Sequence, residues 1–208
     1  MLRFYLFIIS FVLVLSCDSL VSDKLKHGDY VGKLEVENGK YLPFNFSVSN
    51  DSTLLVKNSS EIVDFSIDYL MDSVFIKSKV FEGYIKGVLI NNKIDGVFVI
   101  ESLDRYVPFN SYKSNKRFDI DFEENKKLIN NKWKFIFNPG MYNPSSSIGI
   151  FNSYGKNEIS ATFRTTTGDY GYMHGGYVDG TMVLSTFNGS RAYLLEAELS
   201  NDSIKGVM

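Results

Sequence analysis

The stretch Leu34-Glu-Val-Glu-Asn38-Gly39-Lys-Tyr-Leu-Pro-Phe44-Asn-Phe46-Ser-Val48 decides the fold class. Apolar and polar residues alternate on both sides of Asn38-Gly39, which is the pattern of two half-buried β-strands. Asn-Gly between such strands predicts a hairpin with a type I′ turn, because both residues tolerate a positive φ. We therefore expect this stretch to form an antiparallel β-hairpin.

The same pattern continues along the chain. Turn-forming pairs separate further alternating runs, at Asn91-Asn92, Asp179-Gly180, Asn188-Gly189 and Asn201-Asp202. Turns at intervals of ~8–12 residues are typical of antiparallel hairpins and meanders. The sequence therefore predicts an all-β protein that forms a sandwich or a barrel.

Three segments recur in the same order in the second half of the chain. Each is similar to a later one: Gly28–Tyr30 to Asn131–Trp133, Asp72–Ser78 to Asp179–Ser185, and Ile94–Phe98 to Ile204–Met208. This order predicts two repeated β units, residues 29–115 and 132–208, joined by a linker or short helix over 116–131. The chain stops at Met208 within a strand-like run, so we expect the second unit to be truncated at its C-terminal end.

Composition and charge exclude several classes of function. The chain has 208 residues and a formal net charge of −2. We therefore expect no nucleic-acid partner, because such binding needs a basic surface. One cysteine excludes an intrachain disulfide, a CxxC redox pair and a thiolate zinc site. The chain has only two histidines, so a histidine-based metal site and a histidine-dependent catalytic triad are both disfavoured. We expect no cofactor.

The N-terminus is organised as a secretory signal. Arg3 precedes the apolar run Phe4–Val14, which is too short to span a membrane and fits the ~7–15-residue apolar core of a signal peptide. The following Val14-Leu15-Ser16-Cys17 resembles the bacterial lipobox. This resemblance implies a signal helix within residues 1–16, cleavage before Cys17 and attachment of acyl chains such as palmitate to Cys17. We expect a lipoprotein anchored to a membrane of the cell envelope, with residues 17–28 as a tether.

Two segments of the second unit carry a family resemblance. Ser160–Tyr170, with Thr-Gly-Asp-Tyr at its end, and Leu184–Glu196, with Ser-Thr-Phe, resemble the non-catalytic N-terminal region of bacterial TlpA-like (redoxin) thiol–disulfide oxidoreductases. Asn188 and Arg191 depart from the Asp and His usual there. The resemblance implies that a thioredoxin-like domain with a CxxC motif follows this region. This chain has no such domain and no second cysteine for dithiol exchange.

The segment Gly168–Gly176 is the densest cluster of polar, aromatic and glycine residues. Asp169 and His174 are candidates for an acid–base pair, and Tyr170 or Tyr172 for a surface that contacts a ring-shaped ligand. Strict alternation along a strand places Asp169 and His174 on opposite faces, with a bulge at His174-Gly-Gly176. The structural interpretation of this segment is therefore favoured, and the four residues stay weak candidates for ligand contact.

Two further features belong to the second unit. Trp133, Phe135 and Phe137 alternate and are expected to share the core face of one strand. The loop Asn138–Ser147, with two of the four prolines, is the first choice for a contact surface.

The sequence thus favours a non-enzymatic, membrane-anchored β module of a redoxin, which positions a catalytic domain or an envelope partner protein. The alternative is a stand-alone envelope lipoprotein that binds a small ligand or a glycan. A hydrolase that uses Asp169 and His174 is the least favoured interpretation.

Overall fold

The structure, a computed structural model, describes residues 24–124, 131–200 and 203–208. The expected signal peptide, Cys17 and the Asn201-Asp202 turn lie outside the described residues. The described chain is all-β and antiparallel, as predicted.

The first unit is a closed eight-stranded barrel. Its strands follow one another in sequence order: β1 (Gly28–Glu35), β2 (Tyr41–Asn50), β3 (Thr53–Asn58), β4 (Glu61–Leu70), β5 (Ser73–Ser78), β6 (Tyr84–Ile90), β7 (Lys93–Ile100) and β8 (Arg105–Lys113). β8 pairs with both β7 and β1, which closes the barrel and leaves it without an edge strand. Alternate side chains point inward and form a core that includes Tyr30, Phe44, Phe46 and Phe109.

The second unit is an open seven-stranded sheet. Its strands are β9 (Lys132–Phe137), β10 (Ser145–Tyr154), β11 (Glu158–Thr165), β12 (Gly168–Val178), β13 (Thr181–Phe187), β14 (Ala192–Leu199) and β15 (Ile204–Val207). The ring of Phe137 on β9 lies 5.5 Å from that of Tyr170 on β12, although two strands separate β9 from β12 in the sheet. The sheet therefore curls around its own aromatic core.

The order of the strands agrees with the predicted repeat, which stays a prediction. Asp72–Ser78 contains β5, and Asp179–Ser185 covers the turn before β13 and most of that strand. β5 and β13 are the fifth strands of their units. Ile94–Phe98 lies in β7, and Ile204–Met208 covers β15 and the residue after it; these are the seventh strands of their units. The second unit has no counterpart of β8 among the described residues, so β9 and β15 remain edge strands.

The turns are only partly as predicted. Asn91 and Asn92 both have a positive φ, 52° and 59°, as a type I′ turn requires. The Asn38-Gly39 hairpin exists, but its turn type was predicted wrongly. Glu37–Gly39 forms a 3₁₀ turn inside a longer loop, and the Val36 N–H donates to the Lys40 carbonyl at 2.7 Å.

Phe187, at the end of β13, joins the two units. Its ring is fully buried in the core of the barrel, 4.3 Å from Phe44 and 5.1 Å from Phe98, centroid to centroid. Ser185 on the same strand donates from its hydroxyl to the carbonyl of Pro43 on β2 at 2.5 Å. The two β units therefore share part of one core.

The segments on either side of the barrel also differ from expectation. Part of the predicted tether packs on the barrel, because Leu25 is buried in the barrel core and the Tyr30 hydroxyl donates to the Lys26 carbonyl. The described part of the predicted linker contains no helix. Instead, the Glu123 N–H donates to the Tyr177 carbonyl of β12 at 2.7 Å. Residues 125–130 lie outside the described residues.

Candidate functional site

Arg117 is a buried cation at the joint between the two units. It follows β8, and 4% of its surface is exposed. Its Nη1 donates to the Ser185 carbonyl on β13 at 2.8 Å, its Nη2 to the Lys57 carbonyl on β3, and its Nε to Asn45 Oδ1 at 2.9 Å. Burial lowers the pKa of Arg117 to about 9, so the guanidinium is still protonated at neutral pH. Arg117 therefore fastens the second sheet to the barrel through hydrogen bonds to neutral acceptors.

A polar cleft of about 180 Å³ lies beside this joint. Both units line it, with Asp29, Lys57 and Ser59 from the barrel and Tyr154, Glu158 and His174 from the second sheet. The Ser59 hydroxyl donates to the Ser160 hydroxyl across the joint at 2.7 Å. The cleft is thus a product of how the two units pack.

His174 is the only sequence candidate in this cleft. Burial, with the nearby Arg117 charge, lowers the pKa of His174 to about 3. Burial also raises the pKa of Glu158. The two atoms His174 Nε2 and Glu158 Oε2 are 3.2 Å apart, but no hydrogen bond joins Nε2 to a described residue. Because the imidazole is neutral at neutral pH, this contact is not an ion pair, and His174 is poorly suited to act as a base.

The strand that carries the sequence candidates has its bulge at Tyr170-Gly171. Along β11, Arg164 pairs with Asp169 and Ser160 pairs with His174, with a register shift between them. Gly171 takes a φ of +75° at this irregularity. Because the extra residue resets the alternation, Asp169 and His174 share a face of the sheet. The prediction of opposite faces, and of a bulge at His174-Gly-Gly176, was wrong.

The four candidates do not form one site. Asp169 and Tyr172 line a separate pocket of about 310 Å³ with Glu61, whose Oε2 accepts the Tyr172 N–H at 3.3 Å. Tyr170 lies on the opposite face, inside the curled sheet, where its ring is 5.1 Å from that of Tyr193. The sequence missed Arg117, Glu158 and Tyr154, because contacts across a joint leave no local pattern.

A groove of about 740 Å³ lies between β9 and β15. Its floor is the aromatic and aliphatic interior of the second sheet, including Tyr170, Tyr193 and Leu195. Phe135 and Phe137, which the sequence assigned to the core, do pack there, but they stay half-buried because the groove is open beside them. We call this recess the edge groove.

The loop predicted as a contact surface begins at the end of β9. Met141 and Tyr142 project from it, with 69% and 99% of their surfaces exposed. Its Asn138 and Pro139 line the edge groove. The structure therefore places this loop next to the groove, and its contact role stays a prediction.

Within the described ranges, no group of three or more His, Cys, Asp or Glu side chains is placed to hold a metal ion. No helix in this part of the chain is long and apolar enough to cross a membrane. Comparisons with protein-family models, with curated proteins and with solved structures find no match.

Proposed function

We propose that this chain is a lipid-anchored, non-catalytic β module of the bacterial cell envelope, which holds a thiol–disulfide oxidoreductase of the redoxin type at the membrane. The observation that carries the holding role is the edge groove, a recess with an aromatic and aliphatic floor, bordered by the edges of β9 and β15, which no other strand of the described residues pairs. Such edges are templates for pairing with another polypeptide.

The chemistry of the polar cleft supports the non-catalytic part of the proposal. His174 in the cleft has a pKa of about 3. The guanidinium of Arg117 donates to neutral oxygen acceptors of the protein itself. Neither group is poised for proton transfer at neutral pH. The single cysteine supports the anchor, because it stands at the position that a lipobox requires.

The anchor is tested by expressing the full chain in a bacterial host with a clickable palmitate analogue. We expect label on the wild-type chain and partition into detergent, and loss of both in Cys17→Ser. A Ser16→Ala variant, which keeps a small residue before the cysteine, is the matched control and should stay labelled. Equal labelling of wild type and Cys17→Ser would contradict the anchor.

The redoxin part is tested by the intact mass of the native protein after detergent extraction from membranes. A catalytic domain on the same polypeptide would add ~15–20 kDa to the 23.6 kDa of these residues. A native mass that matches residues 17–208 with acyl chains would contradict such an attached domain. It would leave a redoxin on a separate chain, which crosslinking to the membrane-bound module identifies.

A second candidate is a lipoprotein that binds a small apolar ligand or a glycan. The volume of the edge groove, about 740 Å³, favours it, since ligand pockets span ~300–1,000 Å³ and have aromatic linings. Native mass spectrometry of the membrane-extracted protein would reveal a retained ligand. A ligand-free protein that also fails to bind a glycan panel would remove this candidate.

A further inference from the structure

One end of the barrel is the end at which the chain enters it. Because neighbouring strands are antiparallel, β1 begins at the same end at which three turns lie, at residues 51–52, 71–72 and 91–92. We call this the tether end. The opposite end carries Ser59, whose hydroxyl donates to the Ser160 hydroxyl of the second sheet. The tether end is therefore remote from that contact with the second unit.

The segment that follows the expected lipid attachment is packed onto the tether end. Leu25 is buried in the barrel core, and its N–H donates to the Tyr69 hydroxyl at 3.2 Å. The Lys26 N–H donates to Asn92 Oδ1 at 3.1 Å. Seven residues separate Cys17 from Leu25, and this length of chain spans at most roughly 28 Å. An acylated Cys17 would therefore hold the tether end within about that distance of the bilayer.

The outer face of the tether end is apolar at its rim. Leu70 at the end of β4 pairs with Ser73 on β5, and Ser73 pairs with Val88 on β6, so Leu70 and Val88 lie in one row. Ile90 follows Val88 by two residues on the same face, and Met71 lies in the adjacent turn. The exposed fractions of Leu70, Met71, Val88 and Ile90 are 61%, 81%, 43% and 59%. We call these four residues the apolar rim.

An aromatic ring and two lysines lie one row further from the end. Phe75 follows Ser73 by two residues on the same face of β5 and pairs with Lys86 on β6. The Nζ atoms of Lys86 and Lys77 are 5.6 and 5.8 Å from the centroid of the Phe75 ring. Aromatic and lysine side chains next to an apolar surface are typical of a membrane–water interface, where the lysine stems lie on apolar surface and the charges reach the headgroups.

The charges around the tether end have both signs. Lys24 Nζ is 2.8 Å from Asp51 Oδ2, and Lys77 Nζ is 3.6 Å from Asp68 Oδ2. The other charged residues of this end include Lys26, Asp29, Asp72, Lys93, Asp95 and Lys113. Because these charges largely balance, an attraction to anionic lipid is not expected to dominate, and contact with a membrane depends on the apolar rim.

We propose that the apolar rim inserts its side chains into the surface of the bilayer that holds the anchor, so that the barrel stands on its tether end. This inference rests on the proposed function, in which Cys17 is acylated, and it specifies how the module is oriented. Insertion is confined to the headgroups and the top of the acyl chains, since turn backbone has to stay hydrated. The bilayer is the favoured occupant, because the tether confines this end beside it.

The test measures the depth of both barrel ends in the acylated full chain. Met71→Cys on the apolar rim and Val80→Cys at the opposite end replace residues of similar exposure, 81% and 73%. Each introduces one free thiol for a fluorophore, because Cys17 carries its lipid as a thioether. The protein is reconstituted into phosphatidylcholine vesicles with a spin label on the headgroup or near the top of the acyl chain. We expect the acyl-chain label to quench the fluorophore at position 71 and not at position 80.

Matched variants identify the side chains responsible. Leu70→Asp with Ile90→Asp should lower the ratio of inserted to free chains, read from the quenching at position 71, at least about ten-fold, since each aliphatic side chain returned to water weakens partition on that order. Leu103→Asp is the control, because Leu103 is also 61% exposed but lies at the opposite end. It should leave the quenching unchanged.

Four results would overturn the proposal. Quenching by the headgroup label alone would place the tether end above the bilayer, and equal quenching at positions 71 and 80 would exclude a preferred orientation. Quenching that requires phosphatidylglycerol in the vesicles would make charge, and not the apolar rim, the basis of contact. Crosslinking of Met71→Cys chains to one another without acyl-chain quenching would make a second copy the occupant.

Failure of the lipid anchor gives a different result. The wild-type chain would then take up the thiol label itself, at Cys17, its one cysteine. In that case positions 71 and 80 are compared in a Cys17→Ser background with added vesicles. Acyl-chain quenching confined to position 71 would still support insertion of the apolar rim, and its absence would overturn it.

Discussion

The pH dependence of stability should follow one buried side chain, His174. Its pKa falls from 6.5 in the unfolded chain to about 3 in the folded protein, chiefly because burial disfavours the charged ring. Between these two values the unfolded state binds more protons than the folded state, so stability falls as the pH falls. This loss of stability is absent above pH ~7 and is complete near pH ~3.

The magnitude follows from the size of the shift. Each pKa unit corresponds to ~1.4 kcal/mol, so lowering the pH from about 7.5 to 4.5 should remove about 2.5 kcal/mol of unfolding free energy. With a urea m-value of about 2 kcal/mol/M, the midpoint should fall by about 1.3 M. Glu158 acts in the opposite direction, because its pKa is raised in the folded state and its protonation on acidification favours that state.

The assay is urea unfolding at both pH values, followed by the emission of Trp133, which lies in the same unit as His174. His174→Gln keeps the contribution of Glu158 and should remove most of the loss between the two pH values. Any lost packing against Tyr154, whose ring is 4.5 Å away, lowers stability equally at both. The control is His27→Gln, because His27 is the other histidine and 61% of its side chain is exposed. An unchanged pH dependence in His174→Gln would refute the reasoning.

Three further outcomes are expected. Phe187→Ala should lower the free energy of unfolding by about 3–5 kcal/mol, because it leaves a cavity among the barrel aromatics. Urea unfolding should show a smaller effect of Phe81→Ala, because 36% of the surface of Phe81 is exposed while Phe187 is fully buried. Equal losses would contradict the shared core. Arg117→Met should lower the free energy of unfolding by about 2–4 kcal/mol, because it leaves buried acceptors in both sheets without a donor. Limited proteolysis should then cleave between the units sooner than in the control Lys116→Met. Unchanged cleavage would contradict the role of Arg117 at the joint. Asn92→Gly should raise the midpoint of thermal unfolding slightly and Asn92→Val should lower it, because the φ of 59° at Asn92 suits glycine and disfavours a β-branched residue. The reverse order would contradict the type I′ turn.

The joint between the units limits what the polar cleft can do chemically. Arg117 donates to a backbone carbonyl oxygen of β13 and to the side-chain amide oxygen of Asn45 on β2. Asn58 of the barrel donates to the Phe187 carbonyl of the second sheet at 2.7 Å. Groups held in this way by both sheets keep the units in a fixed relation. These hydrogen bonds give the residues around the cleft a structural role in joining the two units.

Strand positions were predictable because each depends on local chemistry. Alternation along the chain places one face of a strand toward the core, and residues such as Asn91 and Asp179 accept the positive φ of a tight turn. The repeat was visible for the same reason, since each strand–turn–strand unit carries its own pattern. The Asn38-Gly39 turn was predicted with the wrong geometry, because loop length depends on where the two strands stop pairing.

The candidate site was predictable only in part. His174 was chosen, but its neighbours Arg117 and Glu158 come from other segments, and nothing in the local sequence associates them. Asp169 was placed on the wrong face because one bulge residue reverses the alternation for every side chain beyond it. The edge groove was foreseen only as an incomplete second unit.

The sequence by itself determined the all-β class and the order of the hairpins, and it predicts a two-unit repeat and lipid attachment at Cys17. Each of these depends on residues that are close together in the chain. The tertiary structure alone decided that the first unit closes while the second stays open, that Phe187 enters the barrel, and that Arg117 is buried at the joint. Closure and burial depend on which strands distant in sequence come into contact. These contacts are stabilised by the burial of apolar surface, and no local sequence pattern identifies which surfaces are buried against each other.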